Sequence, residues 1–225
     1  MNKHNNGCWY EILALSTLQV VFPLEFYNLR LSDRPDLIDD EAKCGIEVVH
    51  PANEKHEMLN AYYYNHLCGK TVEQISEDGL ERFRSNSYDI VVDSHDKTIS
   101  AYKRPYTSFD MQLIFCAIDK KVKKLNKKLY VYSNNASLFL EMSMYSIEMD
   151  ACSIAKEVLT YVKTIERDYL IFYKEIFIDC IIKLYRINVE TEEITEIETF
   201  ELMDLIEQKY KENSLLERGS YNDQL

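Results

Sequence analysis

Two apolar runs with an amphipathic segment between them constrain this chain most. Leu138 to Met144 reads as a strongly apolar strand, long enough for the centre of a sheet. Phe172 to Ile187 carries Ile176, Phe177, Ile178, Ile181, Ile182, Leu184 and Tyr185 and reads as another buried strand. Asp150 to about Lys163 reads as an amphipathic helix. Two buried strands joined through a helix predict a parallel βαβ unit, and so an α/β sheet. With only five glycines and four prolines in 225 residues, long elements are expected rather than a loop-rich chain. That length permits one domain with elaborations, or at most two small ones.

The stretch from Asp33 to Pro51 holds a second constraint. Leu37-Ile38 and Gly45-Ile46-Glu47-Val48-Val49 read as two short strands joined by a charged turn. Glu47 is a carboxylate among strand-forming apolar neighbours, pointing to the face opposite Ile46 and Val48. Asp36 stands at the start of the preceding strand. If the strands pair, both carboxylates reach one end of the hairpin. Two anions a few ångströms apart repel by ~4 kcal/mol at an effective dielectric near 20. A divalent cation between them is the natural remedy.

Elsewhere the pattern predicts helices over Cys8 to about Val21, Asn53 to about Leu67, Thr71 to Arg84, Ser108 (as N-cap) to about Lys128, and Thr199 to Tyr210. Tyr62, Tyr63 and Tyr64 are expected in an aromatic packing surface. Tyr88 to Val92 and Thr98 to Tyr102 read as a hairpin, and the tail from Asn213 reads as polar and frayed. Glu11 sits one turn into the first helix, where a carboxylate suits the helix dipole. On the helix from Ser108, Ile114, Ile118, Lys121 and Leu125 fall within ~60° of one another. Lys120, Lys123 and Lys127 point outward. Lys121 on the inner side either snorkels from the stripe's edge or has an anionic partner, Asp36 and Glu47 or a substrate.

The net charge of −12 argues against a strong, nonspecific nucleic-acid binder, but it is unevenly spread. Lys120 to Lys128 holds six lysines and no acid, whereas Glu190 to Leu225 holds eleven acids against three bases. The six cysteines are dispersed and read as reduced residues of a cytoplasmic protein; a zinc site from Cys44, His50 and His56 is the weaker reading. No apolar run has membrane-spanning length and no signal-peptide core begins the chain, so no membrane partner is expected. A Gly-rich phosphate loop, a GxSxG elbow and a Cys/His nucleophile signature are all missing, which leaves a small-molecule enzyme without support.

Pro35-Asp36, ten residues, then Glu47 on a strand resembles the PD-(D/E)XK nuclease superfamily, the restriction-endonuclease-like fold. The position of the motif lysine is held by Val49, a departure shared by variants that supply the lysine from a helix in a pattern like Ile-x-x-Lys-x-x-Lys-Leu. Ile118, Lys121, Lys124 and Leu125 match it. The resemblance covers roughly residues 8–51 and 108–185. It implies a three-layer core with a mixed central sheet flanked by helices, an insertion over about 68–105, and an acidic C-terminal helix and tail over about 199–225. It also implies Mg²⁺ or Mn²⁺ held by Asp36 and Glu47, with the Val48 carbonyl and Glu11 in support and Lys121 in the catalytic lysine's role. Lys120, Lys123, Lys124, Lys127 and Lys128 would track the backbone of DNA or RNA. The alternative is a catalytically inactive relative, with the acidic C-terminal third facing a basic protein partner.

Overall fold

In chain order the elements are α1 (Trp9–Val21), β1 (Arg30–Leu31), β2 (Leu37–Asp39), β3 (Cys44–Val49), α2 (Glu77–Arg84), β4 (Tyr88–Val92), β5 (Ile99–Lys103), α3 (Met111–Asn126), β6 (Ala136–Glu141), α4 (Ala151–Ile165), β7 (Glu175–Asp179), β8 (Lys183–Asn188), β9 (Glu193–Glu198) and α5 (Met203–Asn222). The computed structural model describes residues 9–51, 62–63, 66–67, 69–85, 88–93, 95, 97–103, 111–127, 131–142 and 150–222. The chain divides into two units, Met1–Pro51 with Asp110–Leu225, and Ala52–Phe109.

The first unit is built on a seven-stranded mixed sheet of order β1-β2-β3-β6-β7-β8-β9. β3, β6 and β7 are parallel at its centre, and every outer pairing is antiparallel. Strands covered on both faces carry apolar side chains on both, which is why β6 and β7 read as largely apolar runs. Register assigns the faces. Val48, Phe139 and Phe177 lie side by side on one, packed with Ala14, Leu15 and Leu18 of α1. Glu47, Leu138 and Ile176 lie side by side on the other. α3 and α4 pack together: Phe115 stacks on Tyr161 with ring centroids 4.1 Å apart, and the Tyr161 hydroxyl donates to Asp119 at 2.7 Å. Among the described residues no helix is long and apolar enough to cross a membrane.

The expected parallel β6–α4–β7 unit is present, with Asp150 as the α4 N-cap. The single strand expected over Phe172 to Ile187 is instead two antiparallel strands, β7 and β8. The turn between them contains no Gly, Pro or Asn, so no ordinary turn signal marks it. Ile181 takes a φ of 68°, and the Asp179 carboxylate accepts its N–H at 3.1 Å. A left-handed conformation is unfavourable for a β-branched residue, and that hydrogen bond is what the local geometry offers in return. β9 was not read from the sequence. Its two isoleucines, Ile194 and Ile197, pair with Ile187 and Leu184 and so fall on opposite faces of the sheet, which breaks the period of two.

At the C-terminus the expectation of a frayed tail from Asn213 is corrected. α5 continues to Asn222, and buried Asn213 donates to Ser16 Oγ at 3.0 Å and Gln19 Oε1 at 3.2 Å on α1. A polar residue with partners on another element was not distinguishable from tail composition.

In the second unit, Leu67, Leu80, Phe83 and Ile99 form a small core with Tyr62 and Tyr63 packed against it. β4 and β5 pair antiparallel as expected. The helix expected over Thr71 to Arg84 is interrupted. Val72–Gln74 is a 3₁₀ turn, Ile75 is extended, and Ser76 caps α2 by accepting the Gly79 N–H at 3.3 Å. A local serine cap competes with helix continuation. The helix expected from Asn53 lies mostly, and Tyr64, Ser108 and Lys128 wholly, outside the described residues.

Candidate active site

The site begins in the β2–β3 hairpin. Leu37 pairs with Ile46, so Asp36, one residue before β2, stands beside Glu47. The Val48 N–H donates to Asp36 Oδ2 at 2.7 Å, which fixes the carboxylate against β3. Gly45 makes this close approach possible, since a Cβ there would overlap the rigid Pro35 ring next to Asp36. Gly45→Ala is therefore expected to cost about 1–3 kcal/mol through overpacking. A lowered urea midpoint with an unchanged slope would be the measured sign.

Glu47 points to the face opposite Ile46 and Val48, and its side chain is only 3% exposed. α3 supplies the counter-charge. Ile114, Ile118, Val122 and Leu125 are fully buried along its inner side, and Lys121 lies at the edge of that stripe. Lys121 Nζ is 3.2 Å from Asp36 Oδ2 and donates a short hydrogen bond to Glu47 Oε2. Burial pulls the Lys121 ammonium towards deprotonation, but the charges of Asp36 and Glu47 and their hydrogen bonds outweigh it, so its pKa is raised. The stability that this ion cluster contributes is present below the unfolded lysine's pKa and is lost as pH rises through the raised folded value. Of the two alternatives left open by the sequence, Lys121 has anionic partners rather than snorkelling to solvent.

The remaining expected residues are placed differently. The Val48 side chain is buried in the core under α1, while its peptide N–H faces Asp36. Glu11 is half-buried in the first turn of α1, the helix packed on the other face of the sheet from Glu47. Among the described residues no three His, Cys, Asp or Glu side chains are grouped to hold a metal, so Glu11 does not join Asp36 and Glu47 in such a set. Lys120, Lys123 and Lys124 are exposed on α3, and Lys127 is exposed in the turn that follows it. Lys124 therefore does not share the inward placement of Lys121.

A second polar cluster, on the α1 face, was missed in the sequence. Glu141 and Asp179 are register partners at the ends of the parallel strands β6 and β7, only 0% and 5% exposed. His50 Nδ1 is 2.6 Å from Glu141 Oε2, and the Thr17 hydroxyl donates to Asp179 Oδ2 at 3.4 Å. The available signal was the pair of acids interrupting the two most apolar runs of the chain. Burial first, and the Glu141 charge second, push the Asp179 carboxyl up to about 7.

The folded state thus keeps a proton that the unfolded chain releases near pH 4. Stability from this group falls as pH rises from about 4 to about 7 and then levels off, a loss of ~4 kcal/mol by linkage. Asp179→Asn keeps an oxygen for the Ile181 N–H and removes the charge, so it is expected to stabilise the fold at pH 8 by about 2–4 kcal/mol and to flatten this slope. Urea unfolding at pH 5 and pH 8 tests it; equal stability of both proteins at pH 8 would contradict the charged-burial account.

Comparison with protein-family models, with curated proteins and with solved structures gave no match for this chain.

Proposed function

We propose that the chain is a divalent-metal-dependent nuclease that hydrolyses phosphodiester bonds in DNA or RNA, with Asp36 and Glu47 as metal ligands and Lys121 as the catalytic lysine. The observation that carries this reading is the meeting of those three side chains, from the residue before β2, from β3 and from α3. The order α1, β1–β2–β3, α3, β6 also follows the helix, meander, helix, strand order of the restriction-endonuclease-like core.

Two adjacent carboxylates suit Mg²⁺ or Mn²⁺, since Mg²⁺ is commonly held by one or two carboxylates and completes its octahedron with waters and substrate phosphate oxygens. The bound ion would supply Lewis acidity and neutralise charge growing on the scissile phosphate. Asp36 and Glu47 position that charge, and the Val48 N–H keeps Asp36 oriented. Lys121 places a proton donor and a positive charge beside the same spot, where it stabilises the developing anion. The exposed lysines of α3 hold the phosphate backbone beside the site.

A second reading, an inactive relative acting through its acidic C-terminal third, is favoured by one observation. Lys121 bonds to both carboxylates and so offsets one of their two negative charges without a metal ion.

The test uses end-labelled single- and double-stranded DNA and RNA with Mg²⁺, Mn²⁺ or EDTA, beside calorimetric titration of Mn²⁺. Cleavage that needs the divalent ion supports the nuclease. Absence of both cleavage and Mn²⁺ binding would favour the inactive relative.

A further inference from the structure

We propose that the cleft between α1 and α5 binds a small organic ammonium ion with an apolar body, anchored by the Asp179 carboxylate. The cleft measures about 430 Å³, within the ~300–1,000 Å³ range of small-molecule sites. Trp9, Leu13 and Thr17, spaced one turn apart, form the α1 wall, Ile206 and Tyr210 stand on the α5 side, and Asp179 lines it from the end of β7. The walls are largely apolar and the polar anchor is buried, the combination that fixes orientation in a ligand site.

Asp179 is what defines the ligand's charge. It is 5% exposed and accepts two hydrogen bonds, from the Ile181 N–H at 3.1 Å and the Thr17 hydroxyl at 3.4 Å. A carboxylate has about four acceptor positions, so capacity remains. Its register partner Glu141 has His50, whereas among the described residues no cationic side chain pairs with Asp179. Asp204 and Glu207 add acidic groups to the lining on α5. Above about pH 7, where Asp179 is ionised, an anion would be repelled there, and a neutral apolar molecule would leave the buried carboxylate without a counter-charge. An ammonium supplies one, and the aromatic rings of Trp9 and Tyr210 suit a cation with an apolar body.

The groups around Asp179 set the pH response. Thr17 faces it from α1, Glu141 from β6 with His50 of the β3 end behind it, and Asp204 and Glu207 line the same cleft from α5. The neighbouring Cys180 thiol is pushed up to about 12, by burial and then by the charges of Asp179 and Glu141, and stays neutral. Affinity for the ammonium is therefore expected to rise between pH 5 and pH 8 as Asp179 ionises.

Trp9 is the only tryptophan in the chain and lines the cleft, so its fluorescence reports occupancy. The probes are 2-phenylethylammonium, the neutral 3-phenylpropan-1-ol and the anion 3-phenylpropanoate, titrated at pH 8. The amine is expected to give a saturable change, the alcohol to bind at least tenfold more weakly, and the carboxylate to give none. Asp179→Asn, checked for folding by urea melting, is expected to lower the amine's affinity at least tenfold. Equal affinity for amine and alcohol, an unchanged Asp179→Asn variant, or no saturable response to the amine would each overturn the proposal. None of these outcomes depends on nuclease activity.

Discussion

Asp36→Asn is expected to lower divalent-dependent cleavage by about a thousandfold, ~4 kcal/mol of transition-state stabilisation, while leaving the fold nearly as stable as before. The substitution changes one charge and almost no volume. Asn retains an oxygen for the Val48 N–H, and Lys121 keeps its hydrogen bond to Glu47. What is lost is half of the anionic pair that would hold the metal. Single-turnover cleavage with saturating Mn²⁺ and calorimetric Mn²⁺ titration on the same preparation measure the two consequences together. Cleavage at the wild-type rate would remove Asp36 from the metal site and with it the proposed mechanism.

Lys121→Met is expected to affect stability as well as activity. Removing one partner of a buried ion pair costs about 3–5 kcal/mol, because the remaining charge is left uncompensated. Here Lys121's bonds to two carboxylates would be lost, one carboxylate 17% and the other 3% exposed. The variant should be markedly less stable than the wild type at pH 8 and should recover as pH falls, because protonating either carboxylate relieves the repulsion. Millimolar Mn²⁺ should also restore stability if the pair binds metal, by ordinary linkage. The double variant Lys121→Met with Glu47→Gln should regain most of the lost stability and none of the activity, the non-additivity expected of residues in contact. Urea midpoints for the wild type, Lys121→Met, Glu47→Gln and the double variant, with and without Mn²⁺, give the comparison. A Lys121→Met protein as stable as the wild type at pH 8 would mean that the ion cluster contributes nothing to the fold.

Much of the architecture was legible in local pattern. The βαβ unit followed from two apolar runs around an amphipathic helix, and the β2–β3 hairpin from a charged turn between short apolar segments. The inward face of Lys121 followed from helical period alone, because a stripe of Ile114, Ile118 and Leu125 fixes which way their angular neighbour points. Other features of the fold were not legible. The turn between β7 and β8 runs through Ile181 without any turn residue, held by a side-chain hydrogen bond from within the strand. β9 puts its isoleucines on opposite faces, so no alternation marks it. α5 outlasts its apolar pattern because Asn213 finds hydrogen-bond partners on α1.

For the candidate site, the sequence by itself determined the chemistry available: two carboxylates at one end of a hairpin, and a lysine on the buried side of a helix more than seventy residues away. Only the tertiary structure decided that they meet, and that Glu11 and Lys124 do not join them. It alone placed Glu141 beside Asp179 and left Asp179 facing a cleft. Side-chain direction is a local property, set by the period of a strand or helix, and can be read residue by residue. Which strands lie adjacent, and in what register, is set by the packing of the whole sheet. An offset of one residue in the β6–β7 ladder would separate the two acids, and no local pattern fixes that offset.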